Sequence, residues 1–139
     1  MGCDLCVYVP AKEDHDCAMS YSTFDTIRVF VAADYLNEKG VKIDPESVGF
    51  GTYNKIVAQL KEYLDKGDSH ARILYDWLLH SDCEGSYWPN ECEDIVTALT
   101  HCLERFEGKW EDNWLKDRIE CLIDTFKYAA ENDGIVEVC

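Results

Sequence analysis

Apolar positions recur along this chain with two different periods. Over residues 4–9, Leu5, Val7 and Val9 alternate with Cys6 and Tyr8, which predicts a short strand stopped by Pro10. From Phe24 to Leu36 the spacing changes to that of a helix, with Phe24, Ile27, Val31 and Tyr35 on one stripe. Ser22 and Asp25 are placed like a capping box at its start, and Gly40 closes it. Asp44-Pro45 and Gly49-Phe50-Gly51 mark a connecting segment with one helical turn in it. A second helix starts at Thr52, carries Tyr53, Ile56, Val57, Leu60, Tyr63 and Leu64 on one face, and ends at Gly67.

The third helix, near 69–80, turns Ala71, Leu74, Trp77 and Leu78 inward. Pro89 opens the fourth, and Glu91, Glu93 and Asp94 suit the positive end of its dipole. Its stripe of Cys92, Ile95, Val96, Leu99, Cys102, Leu103 and Phe106 runs to Gly108. The fifth covers about 112–132 through Leu115, Ile119, Leu122, Ile123, Phe126 and Ala130, with Gly134 as its stop. The last stretch, Ile135-Val136-Glu137-Val138, is extended and pairs with residues 4–9. The expected fold is mainly α (α+β): one domain over 1–139, bundle-like with five helices and a short two-stranded ribbon from the N- and C-terminal segments. Two strands alone are marginal in water, so the ribbon must lie on the helices.

Charge narrows the function. Twenty-eight acids against 13 lysines and arginines give a formal charge of −15. A surface this negative repels a phosphate backbone and anionic lipid alike, which excludes direct nucleic-acid binding and favours basic protein partners. No apolar run approaches the roughly 20 residues of a membrane span, and Met1-Gly2-Cys3-Asp4-Leu5-Cys6 has no basic region followed by an apolar one. Sixth-position Cys6 is also wrong for myristoylation of Gly2. A cytoplasmic setting is expected, and with it the eight cysteines read as reduced thiols or metal ligands.

The chemistry concentrates in the loop His80-Ser81-Asp82-Cys83-Glu84-Gly85-Ser86-Tyr87-Trp88-Pro89-Asn90-Glu91-Cys92. It can be laid on a calcium loop, with His80 at position 1, Asp82 at 3, Glu84 at 5, Gly85 at 6, Tyr87 at 8 and Glu91 at 12. Histidine is a poor first ligand for a cation that prefers oxygen, and Pro89 starts the next helix before Glu91. His80, Cys83 and Cys92 offer zinc the nitrogen and sulfur it accepts. In the plainer reading Asp82 braces the turn, His80 hydrogen-bonds locally, and the cysteines pack. A second zinc inventory lies in Cys3-x-x-Cys6 with His15-x-Cys17.

Catalytic patterns are thin, and no catalytic residue is assigned. The histidines at 15, 70, 80 and 101 belong to no nucleophile motif, and Gly49-Phe50-Gly51 lacks the third glycine and preceding strand of a phosphate loop. His80 beside Cys83, or His15 beside Cys17, could in principle activate a thiolate, though nearness in sequence is weak support for catalytic geometry. Trp77 and Trp114 fit core stripes, whereas Trp88 and Trp110 lie in acid-rimmed loops as interface anchors or as lids on the core.

The segment Ile73-Leu74-Tyr75-Asp76-Trp77-Leu78-Leu79-His80-Ser81-Asp82-Cys83-Glu84-Gly85 resembles a motif of an uncharacterised family of small bacterial and phage proteins. Those share a leucine-rich helix, His-Ser-Asp-Cys-Asp-Gly, then a proline and a cysteine-bearing acidic helix. Ser20-Tyr21-Ser22-Thr23-Phe24 and the final acidic helix extend the resemblance over residues 20–139, with Glu84 in place of the usual aspartate and Ser86-Tyr87-Trp88 in place of a simpler turn. It implies a bacterial or bacteriophage cytoplasm and no particular activity.

The function expected is therefore that of an acidic, non-catalytic interaction protein or inhibitor. In a phage setting it would be an anti-defence protein whose carboxylates replace phosphates on a partner's basic surface. Glu13, Asp14, Asp16, Trp88, Glu91, Glu93, Asp94, Trp110, Glu111 and Asp112 are the contact residues expected, with Glu131 and Asp133 adding charge. No cofactor is required. The alternative is a structural or sensory zinc or calcium domain built on His80, Asp82, Cys83, Glu84 and Glu91, or on Cys3, Cys6, His15 and Cys17.

Overall fold

The computed structural model describes residues 2–8 by their backbone, then 17–43, 50–80, 85–105 and 113–138. Elements run in the order β1 (Gly2–Tyr8), β2 (Cys17–Ser20), α1 (Tyr21–Glu38), α2 (Phe50–Asp65), α3 (Ser69–Leu79), β3 (Ser86–Tyr87), α4 (Pro89–Arg105), α5 (Asn113–Glu131) and β4 (Ile135–Val138). Five helices and a terminal ribbon are what the periodicity predicts. The one-turn helix expected near 44–49, the acidic loop 13–16 and the end of the fourth helix beyond Arg105 lie outside the described residues.

α1 departs from the one-stripe pattern because it is the central helix. It touches the other four helices together with β1 and β2. Val29, Ala32, Ala33 and Leu36 are therefore buried along with Phe24, Ile27, Val31 and Tyr35, and so are Arg28 and Asp34. Its cap also differs from expectation. Ser20, not Ser22, accepts from the Thr23 N–H at 3.1 Å, so the helix starts three residues before Phe24. Asp25 turns instead to Arg28, at 3.4 Å. At the other end Gly40 takes φ +92° and the Val41 N–H returns to the Leu36 carbonyl at 2.9 Å.

The ribbon is the centre of a larger sheet, antiparallel throughout, in the order β2-β1-β4-β3. Leu5 stands opposite Val138 on one side and Cys17 on the other, while Val136 stands opposite Val7 and Tyr87. Val136 and Val138 are buried and Glu137 is exposed, the alternation of a sheet covered on one face. The cover is α5, which touches β1, β2 and β4. β2 alternates as well, Cys17 and Met19 inward against Ala18 and Ser20, but four residues are too few to register as a period.

Two expectations about the core need correction. Cys17 and Cys121 form a disulfide, with Cα atoms 6.1 Å apart across a sequence separation of 104. The expected cytoplasmic setting implies reduced thiols or metal ligands; only the fold reveals that edge strand β2 lies against α5. Trp114, expected in the core, is 47% exposed. The buried face of α5 is centred on Ile119, Leu122, Phe126 and Ala129, and five residues at 3.6 per turn place Trp114 about 140° around from Ile119.

Candidate functional site

The densest set of candidate groups lies where α3 leaves the core and α4 begins. Asp68 starts α3 by accepting from the His70 and Ala71 N–H groups at 3.0 and 3.1 Å. At the far end, the carbonyls of Leu78 and His80 both accept from the buried Arg28 guanidinium, at 2.7 and 2.8 Å. The chain then leaves the helix with His80 extended. Gly85 makes the return at φ +102°, and a Cβ there would sit 3.2 Å from His80 Cε1, so glycine answers both the backbone and the ring above it.

His80 is held on two sides. Its Nε2 lies 2.9 Å from the Ser86 carbonyl, and because a carbonyl only accepts, the ring proton sits on Nε2. The ring stacks on Tyr87, centroids 3.9 Å apart at 16°, and Tyr87 meets Phe126 of α5 edge-on at 5.2 Å. Trp88 next in line caps α4. Its carbonyl accepts from the Cys92 N–H at 2.9 Å, while its own N–H donates to Glu91 Oε1 at 3.1 Å. The Trp88 side chain is left 57% exposed.

These elements enclose a cleft of about 230 Å³ between α3, β3 and the first turns of α4. Trp77, Ile73 and Ile95 supply its apolar lining, with His80 and Tyr87 at the loop end. Arg72 and the acids Asp76, Glu91 and Asp94 line it too. Burial first, and then the neighbouring carboxylates Glu93, Asp76 and Glu91, raise the Asp94 carboxyl above its ordinary value. Negative charge is thus crowded along this rim. Arg72 has no ion-pair partner among the described residues, although Asp76 is one helical turn away.

Of the predicted contact residues, Trp88, Glu91, Glu93 and Asp94 come together here. The positions Glu13, Asp14, Asp16, Trp110, Glu111 and Asp112 lie outside the described residues. So do Asp82, Cys83 and Glu84 of the proposed metal loop, and His15 with the side chains of Cys3 and Cys6. Where the ligand candidates are described, each has another occupation: His80 binds Ser86, Glu91 caps α4, and Cys17 is tied to Cys121. The disulfide corrects the assignment of Cys17 as a free thiolate, whether for zinc or for a pair with His15. Among the described residues no three histidine, cysteine, aspartate or glutamate side chains converge closely enough to hold a metal ion. Cys92 and Cys102 are buried free thiols. Burial pushes Cys92 up to about 12 and raises Cys102 as well, so neither is a nucleophile at neutral pH.

A second polar cluster escaped the sequence because its members come from three helices. Asp34 of α1, itself buried, takes Arg105 of α4 in a two-point contact at 3.0 and 3.3 Å. Glu38 meets His101 Nε2 at 2.8 Å. Tyr35 hydrogen-bonds Asp68, stacks on His70 at 4.5 Å, and His70 meets His101 edge-on at 5.0 Å. Through these contacts the groups act as a clamp between α1, α3 and α4.

The clamp titrates. Burial, and secondarily the charge on His101, lower His70 below its ordinary 6.5. The unfolded chain therefore takes up this proton before the folded one does. His70 contributes stability that is complete above pH 6.5 and is lost as pH falls through the folded value. Glu38, held below 4.5 chiefly by the His101 hydrogen bond, loses its contribution only at lower pH. Stability to urea should weaken between pH 6.5 and 4.5, and His70→Phe should remove part of that slope; an unchanged slope in the variant would separate His70 from the effect.

No helix among the described residues is long and apolar enough to cross a membrane. Comparison of the chain with family models, with curated proteins and with solved structures gives no match.

Proposed function

We propose that this chain is a non-catalytic interaction protein whose acidic α3–α4 face docks on a basic surface of another protein. The observation that carries the reading is the rim itself. Asp76, Glu91, Glu93 and Asp94 share one edge, where burial first and then the neighbouring carboxylates raise the Asp94 carboxyl, next to a tryptophan that is 57% exposed. A cationic partner relieves that repulsion, and Trp88 supplies the rigid apolar area of an interface anchor. Surfaces that otherwise hold nucleic acid have the required density of cations, so the carboxylates would stand where phosphates do. In a bacteriophage setting this amounts to inhibition of a nucleic-acid enzyme of the host's defence.

The test is affinity capture from a bacterial lysate at two ionic strengths, using the wild-type chain and the triple variant E91Q/E93Q/D94N. The change Glu91→Gln keeps the side-chain oxygen that caps α4, so folding is preserved. The expected partner is released by salt and lost with the triple variant, each carboxylate being worth roughly twofold to fivefold in affinity. It should survive the control E120Q/D124N on α5. A partner held equally by both variants, or indifferent to salt, would refute the reading.

A further inference from the structure

The acidic face holds more than charge. Among the described residues three large apolar side chains are exposed, Leu79, Trp88 and Trp114, and the first two each lie one residue from the stacked His80–Tyr87 pair. His80 and Tyr87 line the α3–α4 cleft, so Leu79 and Trp88 give its loop end an apolar lip. We propose that the cleft and this lip form a groove for one basic, amphipathic helix of the partner protein. The helix lays its apolar stripe on Leu79, Trp88 and the cleft floor, and its lysines or arginines pair with Asp76, Glu91 and Asp94. Such a helix rests on the docking reading above and specifies which element of the partner docks.

Shape is the first argument. The α3 wall of the cleft is a line of side chains repeated every turn, from Ser69 through Arg72, Ile73, Asp76 and Trp77 to His80. At 1.5 Å per residue that line is about 16 Å long, room for about three turns of a helix laid alongside. The opposite wall is the start of α4, where Glu91, Asp94 and Ile95 recur at the same spacing. An extended segment finds less to hold, because strand addition needs a free sheet edge. In β3 the Ser86 carbonyl already faces His80 Nε2 at 2.9 Å, and the Tyr87 carbonyl accepts from the Cys92 thiol at 3.6 Å. A helix satisfies its own backbone and brings only side chains to the groove.

Charge is the second. Asp76, Glu91 and Asp94 outnumber Arg72 in the lining. Burial first, and then Glu93, Asp76 and Glu91, raise the Asp94 carboxyl. Asp76 belongs to α3 and Asp94 to α4, so part of that repulsion acts between the two walls. A cation brought in by the partner relieves it. A purely polar basic loop would leave Leu79, Trp88 and Ile73 uncovered. A helix with an apolar stripe flanked by lysine or arginine covers them and meets the acids at once.

The probe is a peptide of about 14 residues whose leucines recur at i, i+3, i+4 and i+7 and whose other positions are lysine. A second peptide has the same composition, reshuffled so that no apolar stripe forms. Binding is followed by the methyl resonances of Ile73 and Ile95, which line the cleft. The striped peptide should move them saturably, with the reshuffled one at least about fivefold weaker. Leu79→Ala combined with Trp88→Ala, a change at two exposed positions, should weaken the striped peptide about tenfold, and E120Q/D124N should leave it within about twofold. Unmoved methyl resonances, equal binding of the two peptides, or indifference to the Leu79 and Trp88 changes would each overturn the helix groove. The docking reading is decided separately, by salt and by E91Q/E93Q/D94N. Peptides that bind alike, yet are released by salt and by that triple variant, would remove the helix and leave the acidic face its role.

Discussion

Opening the Cys17–Cys121 disulfide should be the most destabilising single chemical change available to this protein. The bond closes a loop across a sequence separation of 104. Loop-closure entropy for a chain of that length is worth about 4–5 kcal/mol at room temperature. For a domain of this size that corresponds to a fall in melting temperature on the order of 15 °C. The location adds to the effect. Among the described residues β2 is an edge strand paired on one side only, through Gly2↔Ser20 to Leu5↔Cys17, and the covalent link to α5 fixes it over the helix. Calorimetry of the native protein with and without reductant, and of the double variant C17S/C121S, measures the difference. Coincident melts would show that the link contributes nothing. Free thiols at both positions under non-reducing conditions would show that it does not form.

That bond also marks what a sequence of this kind can and cannot disclose. The helices were legible because each carries its own instructions: Asp68 before α3, Pro89 at the start of α4, Gly67 and Gly134 as stops. The ribbon was legible because Leu5, Val7, Val136 and Val138 lie on alternating segments at the two ends. What pairs across distance was not. Cys17 gives no hint of Cys121, and two-residue β3 is a strand only because β4 is beside it. The burial of α1 on both sides was hidden, because one apolar stripe is visible in its sequence while other helices and a sheet surround it. Its Arg28 and Asp34 look like solvent positions until Leu78, His80 and Arg105 are placed next to them.

The candidate cleft was half-visible for the same reason. Its loop side, His80, Tyr87, Glu91 and Asp94, falls in one short and conspicuous stretch. Its other wall is α3, where Ser69, Arg72, Ile73, Asp76 and His80 recur at helical spacing. That polar stripe was present in the sequence, but the apolar stripe of Ala71, Leu74, Trp77 and Leu78 drew the reading inward. Trp77 belongs to both faces, lining the cleft while only 2% exposed. The histidine clamp was less legible still, since Glu38, His70 and His101 share no segment.

The second large effect is expected at Arg28, which joins the central helix to the end of α3. Its side chain is 4% exposed, and one guanidinium nitrogen serves the carbonyls of both Leu78 and His80. Those carbonyls are at the C-terminal end of α3, where the helix has no N–H groups left to offer them. Its ion-pair partner Asp25 is half exposed and 3.4 Å away, so the cation is held mainly by carbonyl dipoles and by the Phe24 ring at 5.2 Å. Arg28→Met keeps the apolar stem and removes the donors. Leu78 still receives the Tyr53 hydroxyl at 2.9 Å, so the loss falls on His80. The expected cost is about 2–4 kcal/mol, with Arg28→Lys intermediate because a single ammonium that serves the two carbonyls has no second nitrogen for Asp25. Hydrogen exchange distinguishes this from a general loss of packing. The His80 N–H, bonded to Asp76 and Trp77 carbonyls at 3.1 and 3.2 Å, should lose protection out of proportion to the core of α5. A variant within about 0.5 kcal/mol of wild type, with that amide still protected, would show that α3 ends where it does without help from α1.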